Sequence, residues 1–588
     1  RRHPSQGAIG HGAAGRREVA EEAEAGARWK TSAHPYPVAS GLMPSLLLGP
    51  LLRYVSSRAA TIWVEVDQPC TVSVLGVDQS TFSFAGHHYA LVVLTDLPSE
   101  ATIPYQVQLD GEQHWPPIES TMPPSCIRTL SREHEALIAF GSCRAIAPHE
   151  DPFTRERIVD KRGIGYDAMR AIALRMVEQV SDEWPDLMLM LGDQVYADES
   201  SPATQARIDQ RQRGDDDPPP RVVANFEEYT WLYREAWTPE AERWMLSVTP
   251  TAMIFDDHDM IDDWNISNTW VQDIRGQKWW PEHVIGGLVS YWIYQHLGNL
   301  SPETIAAEGM LADVIAEGDA TDYLRRWALE SEKFTPIPGG YQFSFDRHVG
   351  NAHVVIIDDR NGRVLDPAHR RMVDAKEWRW ILETCDEPTD HLVLAMSLPL
   401  MVPGGLHGFQ QWSERRCDGT HRMHKAHEWL RRALDLEDWA AFDISFREFE
   451  ELLIQIGTDQ PDSPAPRTIS MLAGDIHFAY VAEVTMPEGV DSRVRQMVSS
   501  PMRNTLARHE RLVLRAAVSR GGRRLGNALM RRAGRDASRL TWEIQGTPIF
   551  RNNIGSLHFH DTDGELRIET AHVEDDQVVV DVAFSTPL

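Results

Sequence analysis

Four apolar runs in this chain of 588 residues stop abruptly at residues that bind metals or move protons. The segments are Phe140-Gly-Ser-Cys143-Arg144, Leu191-Gly-Asp193-Gln-Val-Tyr196, Phe255-Asp256-Asp257-His258-Asp259 and Ala473-Gly-Asp475-Ile-His477. Short continuous apolar runs read as strands covered on both faces. In open α/β sheets, ligands gather at the carboxyl ends of such strands. Carboxylates that converge on one point cannot all stay ionised without cations between them. The four segments therefore predict a metal-dependent site at the edge of a layered α/β fold.

The texture of the chain places that fold. Residues 1–42 are polar, rich in small residues and aperiodic, and are expected to be a disordered tail. Residues 43–131 hold short alternating or β-branched runs such as Ala60–Val66, Thr71–Leu75 and His87–Leu94, with a hairpin signal at Asp110-Gly111. They predict an N-terminal all-β sandwich. From 132 to 588 apolar runs alternate with amphipathic helical stretches. The runs are Ala136–Phe140, Leu187–Leu191, Ala252–Phe255, His353–Ile357, Leu392–Met396 and Thr468–Leu472; helices are expected at Tyr166–Val180 and Phe226–Trp237. β texture returns at Gly555–His560, Glu565–Thr570 and Gln577–Phe584. Insertions near 199–220, read as a flexible loop, and 503–539 interrupt this domain.

Net charge is −29, which disfavours extended nucleic-acid binding but suits a protein that places many carboxylates around cations. The five cysteines are scattered without CxxC spacing, so neither a disulfide framework nor a zinc cluster is indicated. No run reaches the roughly 18 apolar residues of a membrane span. Arg1-Arg2 is not followed by the apolar stretch of an export signal. The expectation is a cytoplasmic protein.

The ligand types sharpen the metal reading. Cys143 and Tyr196 offer thiolate and phenolate, which suit ferric iron better than magnesium. Asp193, Asp256 or Asp257, and Asp475 form an oxygen set suited to calcium or magnesium. Two metals about 3.5–4 Å apart clamp both oxygens of a phosphoryl transfer. His258 is placed to give a proton to a leaving oxygen, and Arg144 and Arg360 to fork a phosphate. The plainer alternatives are that Tyr196 only packs and that Arg360 is an ion-pair partner of Asp358.

The ordered set of motifs resembles the PhoD-like alkaline phosphatase family, a branch of the calcineurin-like metallophosphoesterases. The matching residues are Ser142-Cys143, Gly192-Asp193-Gln-Val-Tyr196, Asp256-Asp257-His258-Asp259 and Gly474-Asp475-Ile-His477, with Ile357-Asp358-Asp359-Arg360 similar to the family's D-x-R strand. That family often has asparagines where this chain has Asp262-Asp263. The resemblance covers about 43–588. It implies a metallophosphoesterase-type layered sandwich of β-sheets flanked by helices, behind a fibronectin-like N-terminal domain. It implies Fe3+ held by Cys143, Asp193, Tyr196 and His477, and Ca2+ or another divalent ion held by Asp193, an acid of the Asp256–Asp257 pair and Asp475. The activity it implies is hydrolysis of a small phosphoric monoester or diester by a metal-activated water. The rival reading is a non-catalytic metal-binding or scaffold protein derived from the same fold.

The arginines of 503–539, with Leu and Val interleaved at helical spacing, allow three readings: a solvated helical lid, a weak membrane-surface contact, or a phosphate-steering arm. No obligate protein partner is indicated.

Overall fold

The computed structural model describes residues 43–211, 214, 216–334, 340–417, 423–461, 464–534, 538–560, 564–574 and 577–588. The tail expected at 1–42 lies outside these residues.

Two mixed sheets form the larger part. One has six strands in the spatial order Thr251–Ile254, Leu187–Leu191, Leu137–Gly141, Asn553–Phe559, Gly564–Glu574 and Gln577–Pro587. The other has seven, in the order Phe345–Val349, Ala352–Ile357, His391–Met396, Thr468–Ala473, Arg493–Val498, Ala479–Thr485 and Thr541–Ile549. Alternation along each strand decides the layers. Ile138 and Phe140 point inward with Leu187, Leu189, Ile254, Val354, Ile356, Val393 and Leu472, so the inner faces of both sheets share one core. Ala139, Met188 and Met190 point outward onto the helix Ala168–Glu178 through Met169, Ile172 and Met176. On the other side, Val355, Leu392 and Leu394 share a cluster with Ile381 of Ala375–Cys385 and Phe449 of Asp443–Ile456. Each aliphatic side chain buried this way contributes about 1.5–3 kcal/mol.

The six apolar runs are strands to within a residue, as are the C-terminal β segments at their starts to within two. The structure adds four strands that carry weaker signals: Phe345–Val349, Ala479–Thr485, Arg493–Val498 and Thr541–Ile549. Segments such as Arg-Val-Arg-Gln-Met-Val are only half apolar because they alternate. The loop expected at 199–220 is corrected in part. It holds the helix Pro202–Asp209, whose start is set by Ser201 capping the Thr204 N–H and by proline in the first turn.

Residues 46–128 form two four-stranded sheets and a two-stranded one. Ile62, Val64 and Val92 of the first sheet meet Val72, Val107 and Trp115 of the second in a separate core. The opposite face of the first sheet does not face solvent. Its Trp63 and Tyr89 pack on Tyr294, with ring centroids 5.1 and 5.5 Å away. Buried Arg53 donates to the carbonyls of Tyr294 and Gln295 at 2.6 Å each and to the Asn299 amide oxygen at 3.0 Å. Glu65 pairs with Arg234 at 2.7 Å.

Candidate metal centre

The four predicted segments meet at one place, where strands of both sheets end. Parallel pairing puts the ends of Leu137–Gly141, Leu187–Leu191 and Thr251–Ile254 side by side. The strand Thr468–Ala473 of the facing sheet completes the set, since the Asp475 N–H donates to the Ser142 hydroxyl at 3.0 Å. Close approach there requires glycine. A Cβ on Gly192, at φ +99°, would overlap Asp256, and one on Gly474 would overlap Ser142. Cys143, Asp193, Asp475 and His477 all adopt left-handed backbone, at φ 54°, 54°, 64° and 55°. Strain of this kind in non-glycine residues is characteristic of over-determined functional turns.

Two ligand groups result. Cys143, Asp193 and His477 each offer one ligand atom within 4.8 Å of the others, and so do Asp193, Asp257 and His258. Asp193 belongs to both. The Cys143 thiol donates to the Asp475 carbonyl at 3.3 Å and accepts from Ser142 and Ser500 at 3.4 and 3.3 Å. Burial, reinforced by Asp193 and Asp475, holds that thiol well above its ordinary pKa. Tyr196 lies beside this group: its hydroxyl donates to Asp193 at 3.4 Å and accepts from the Asn504 amide at 3.3 Å. Burial lowers the His477 imidazole to about 3, helped by the charges of His258 and Arg157, which leaves it neutral and able to ligate.

The donors fit a metal. Asp193 Oδ1 and Asp256 Oδ2 are buried with no hydrogen-bond partner. Burial pushes the Asp193 carboxyl up to about 6 and Asp263 up to about 10, and holds Asp256 and Asp475 well above the carboxylate range. Such a concentration of acid is relieved by a cation. Thiolate, imidazole and carboxylate in one group suit a transition metal, whereas the acids alone suit a hard ion.

Arg360 supplies positive charge to the acids. Its buried guanidinium pairs with Asp256, with Asp257 at 3.3 Å, with Glu437 at 2.6 Å and with Asp475 at 3.2 Å. It is not the side-chain partner of Asp358, which instead accepts the Arg360 and Asn361 N–H groups at 2.9 Å each. Despite burial, Arg360 keeps the Asp257 carboxyl below its ordinary range. Asp257 is the member of the pair that stands with Asp193 and His258; Asp256 lies on Arg360 and the Ser397 hydroxyl.

Arg144 requires a correction. It does not face the site to fork a phosphate: it is buried against Asp167 at 2.8 Å, Glu242 at 3.4 Å and the Ala236 carbonyl at 2.9 Å. The backbone after Cys143 carries the side chain behind the site, into an ionic network under the helix Ala168–Glu178. A different arginine, Arg157, stands near the metal groups, donating to Asn504 at 3.4 Å.

His258 is fixed by two contacts. Its Nδ1 lies 2.8 and 3.0 Å from the oxygens of Asp198, and its ring stacks on Tyr196 with centroids 4.6 Å apart. Burial opposes protonation of His258, but Asp198, Asp257 and Asp193 outweigh it and hold the imidazole well above its ordinary pKa. Asp259 has a supporting part. It accepts from the N–H groups of Asp193, Val195 and Asp256 and from the Gln295 amide, at 3.0–3.4 Å.

Four participants escaped sequence reasoning. Asp198 carried a signal, lying two residues beyond Tyr196 in the same motif. Glu437, Asn504 and Arg157 follow no apolar strand and carried none.

Residues 165–282 match the model of the PhoD-like phosphatase family, and residues 43–127 match a domain of unknown function (DUF7800). A solved structure titled "Structure of PhoD" shares 10% identity with this chain, covering 94% of it and 91% of its own length, with a TM-score of 0.55. A maltogenic amylase from S. marinus aligns at 8% identity over 89% of this chain and 76% of its own, with a TM-score of 0.16 that carries no argument. No curated protein matches the chain.

Proposed function

We propose that this chain, PhoD-like by its family match and its fold, is a metal-dependent phosphoric ester hydrolase built on a metallophosphoesterase-type layering of two sheets between helices. The observation that carries the reading is Asp193, whose carboxylate stands within 4.8 Å of ligand atoms of Cys143 and His477 in one group and of Asp257 in another. Cys143, Asp193, Tyr196 and His477 would hold Fe3+; Asp193, Asp257 and Asp475, with Asp256 behind them, would hold Ca2+ or a similar divalent ion. Bound there, such a pair supplies a water nucleophile at neutral pH and neutralises charge on the phosphoryl oxygens.

The chain's own residues do the rest. Asp193, which belongs to both groups, would serve both ions. His258, held by Asp198 and Tyr196, carries a proton that it gives to the leaving oxygen as the ester bond breaks. Arg157, beside Asn504 and His477, takes the phosphate-binding part expected of Arg144. Arg360 pairs with Asp256, Asp257 and Asp475 from beneath and favours their ionised forms, holding Asp257 below its ordinary range.

The test is an assay of the pure protein with para-nitrophenyl phosphate and bis-para-nitrophenyl phosphate, after loading with iron and calcium. Hydrolysis of at least one is expected. Metal binding without hydrolysis of either would sink the enzyme reading and leave the non-catalytic one.

A further inference from the structure

The helices Arg508–Val518 and Arg520–Arg532 form a hairpin that begins four residues after Asn504 at the rim of the site. They hold eight arginines against the single acid Glu510, in a chain whose net charge is −29. Seven of those arginines are exposed, and none of the exposed described residues on the two helices is acidic. So local a reversal of sign cannot serve general solubility.

The hairpin is well anchored. Gly526 crosses Gly404 and Gly405 of the helix Gly404–Arg416 so closely that a Cβ would overlap their backbone, and Gly408 meets Gly526 in the same way. Leu514 packs toward the main core. Arg511 is bound to Glu156 at 2.9 Å, and Arg515 lies over the Phe550 ring at 5.3 Å. With these contacts holding the inner side, the outer side is exposed among the described residues. Arg520, Arg524 and Arg531 follow helical spacing along one exposed face. Leu512 and Leu525, 64% and 63% exposed, stand beside the arginines.

We propose that this outer face docks on an anionic phospholipid bilayer. Charge complementarity selects an anionic partner, and the exposed leucines select a lipid one. A bilayer surface offers phosphate and carboxylate headgroups with an apolar layer just beneath, so arginines and leucines on one face are satisfied together. A nucleic acid backbone gives the leucines nothing to enter. A long polyanion would also run past the hairpin onto the acidic remainder of the molecule.

Flotation of the full-length protein with phosphatidylcholine vesicles, and with vesicles that also carry phosphatidylserine, tests this. Binding only to the second kind is expected, with release at high salt. Combining Arg520→Glu, Arg524→Glu and Arg531→Glu should weaken partitioning by about a hundredfold or more. Leu512→Ser with Leu525→Ser should weaken it as well, while both variants keep the parental thermal midpoint. If the charge-reversed chain fails to fold, Arg520→Gln, Arg524→Gln and Arg531→Gln replace it. Equal binding to both vesicles, no binding to either at low salt, or binding indifferent to the arginines would overturn the proposal. So would tight binding of an RNA oligomer through the arginines with the leucines irrelevant.

Discussion

Cys143 is the residue on which the proposed asymmetry of the centre turns. It is the only thiol in either ligand group, held by two serine hydroxyls and set by a left-handed backbone that aims it toward Asp193 and His477. Cys143→Ala should lose iron and, with it, the charge-transfer colour of a ferric thiolate site, read by metal analysis and visible absorption. A coloured, iron-replete variant would remove Cys143 from the ligand set. His258 and Asp198 separate two roles in the same way. His258→Ala should keep its metals and lose about 10²–10⁴-fold in kcat. Asp198→Asn should lose less, because Asp198 orients the ring and helps keep it protonated without touching the ester, and should leave KM near the parental value. Loss of metal from His258→Ala would make this histidine a ligand instead.

At the scale of elements, the site depends on how closely strand ends approach and on what supports them from behind. Gly192→Ala would place a Cβ against Asp256 in a backbone conformation that L-residues rarely adopt. We expect a loss of about 1–3 kcal/mol in denaturant unfolding, together with weaker metal binding. A longer line of support runs from the N-terminal sheets. Arg53 binds the Tyr294 and Gln295 carbonyls within the π-helical turn Tyr291–His296; Gln295 donates to Asp259; and Asp259 gathers the N–H groups of the Asp193 turn. Arg53→Met should destabilise the whole chain by roughly 3 kcal/mol, since it takes the guanidinium donor from the buried Tyr294 and Gln295 carbonyls. A variant that lost only the N-terminal sheets, with the α/β layers unaffected in hydrogen exchange, would show the two parts to be energetically independent.

Two buried histidines should make part of the molecule's stability pH-dependent well above the range in which surface carboxylates protonate. Burial lowers His296 and His407 to about 3 from an ordinary 6.5. Below pH 6.5 these two side chains take up protons in the unfolded chain that they refuse in the folded one, so their contribution to stability falls as pH falls, down to about pH 3, while raised carboxyls such as Asp193 and Asp263 contribute with the opposite sign. At pH 5 each histidine costs about 2 kcal/mol relative to pH 7. Urea midpoints of the parent and of His407→Gln at the two pH values measure this, and an unchanged pH dependence in the variant would refute it. No helix among the described residues is long and apolar enough to cross a membrane. The proposed contact with lipid rests on the outer face of the arginine-rich hairpin, and high salt should release it.

Much of this was legible in the chain, for physical reasons that differ from part to part. Strands covered on both faces must be continuously apolar, so Leu187–Leu191 and its counterparts announced themselves. The turns that follow them need glycine and ligand side chains in a fixed order, so Cys143, Asp193, the Asp256–Asp257 pair, Asp475 and His477 stood out without any structure. Half-buried strands such as Arg493–Val498 did not, because alternation with charged residues also describes a surface loop. The direction of Arg144 could not be read either. Sequence places a side chain at a strand end, but packing decides whether it turns toward the site or, as here, back to Asp167 and Glu242. Glu437, Asn504 and Arg157 reach the centre from loops distant in the chain, and only the closing of one sheet on the other brings them there. The sequence by itself determined which chemistry the strand ends could hold. The tertiary structure alone decided which charged groups stand around it, because that depends on contacts between segments hundreds of residues apart.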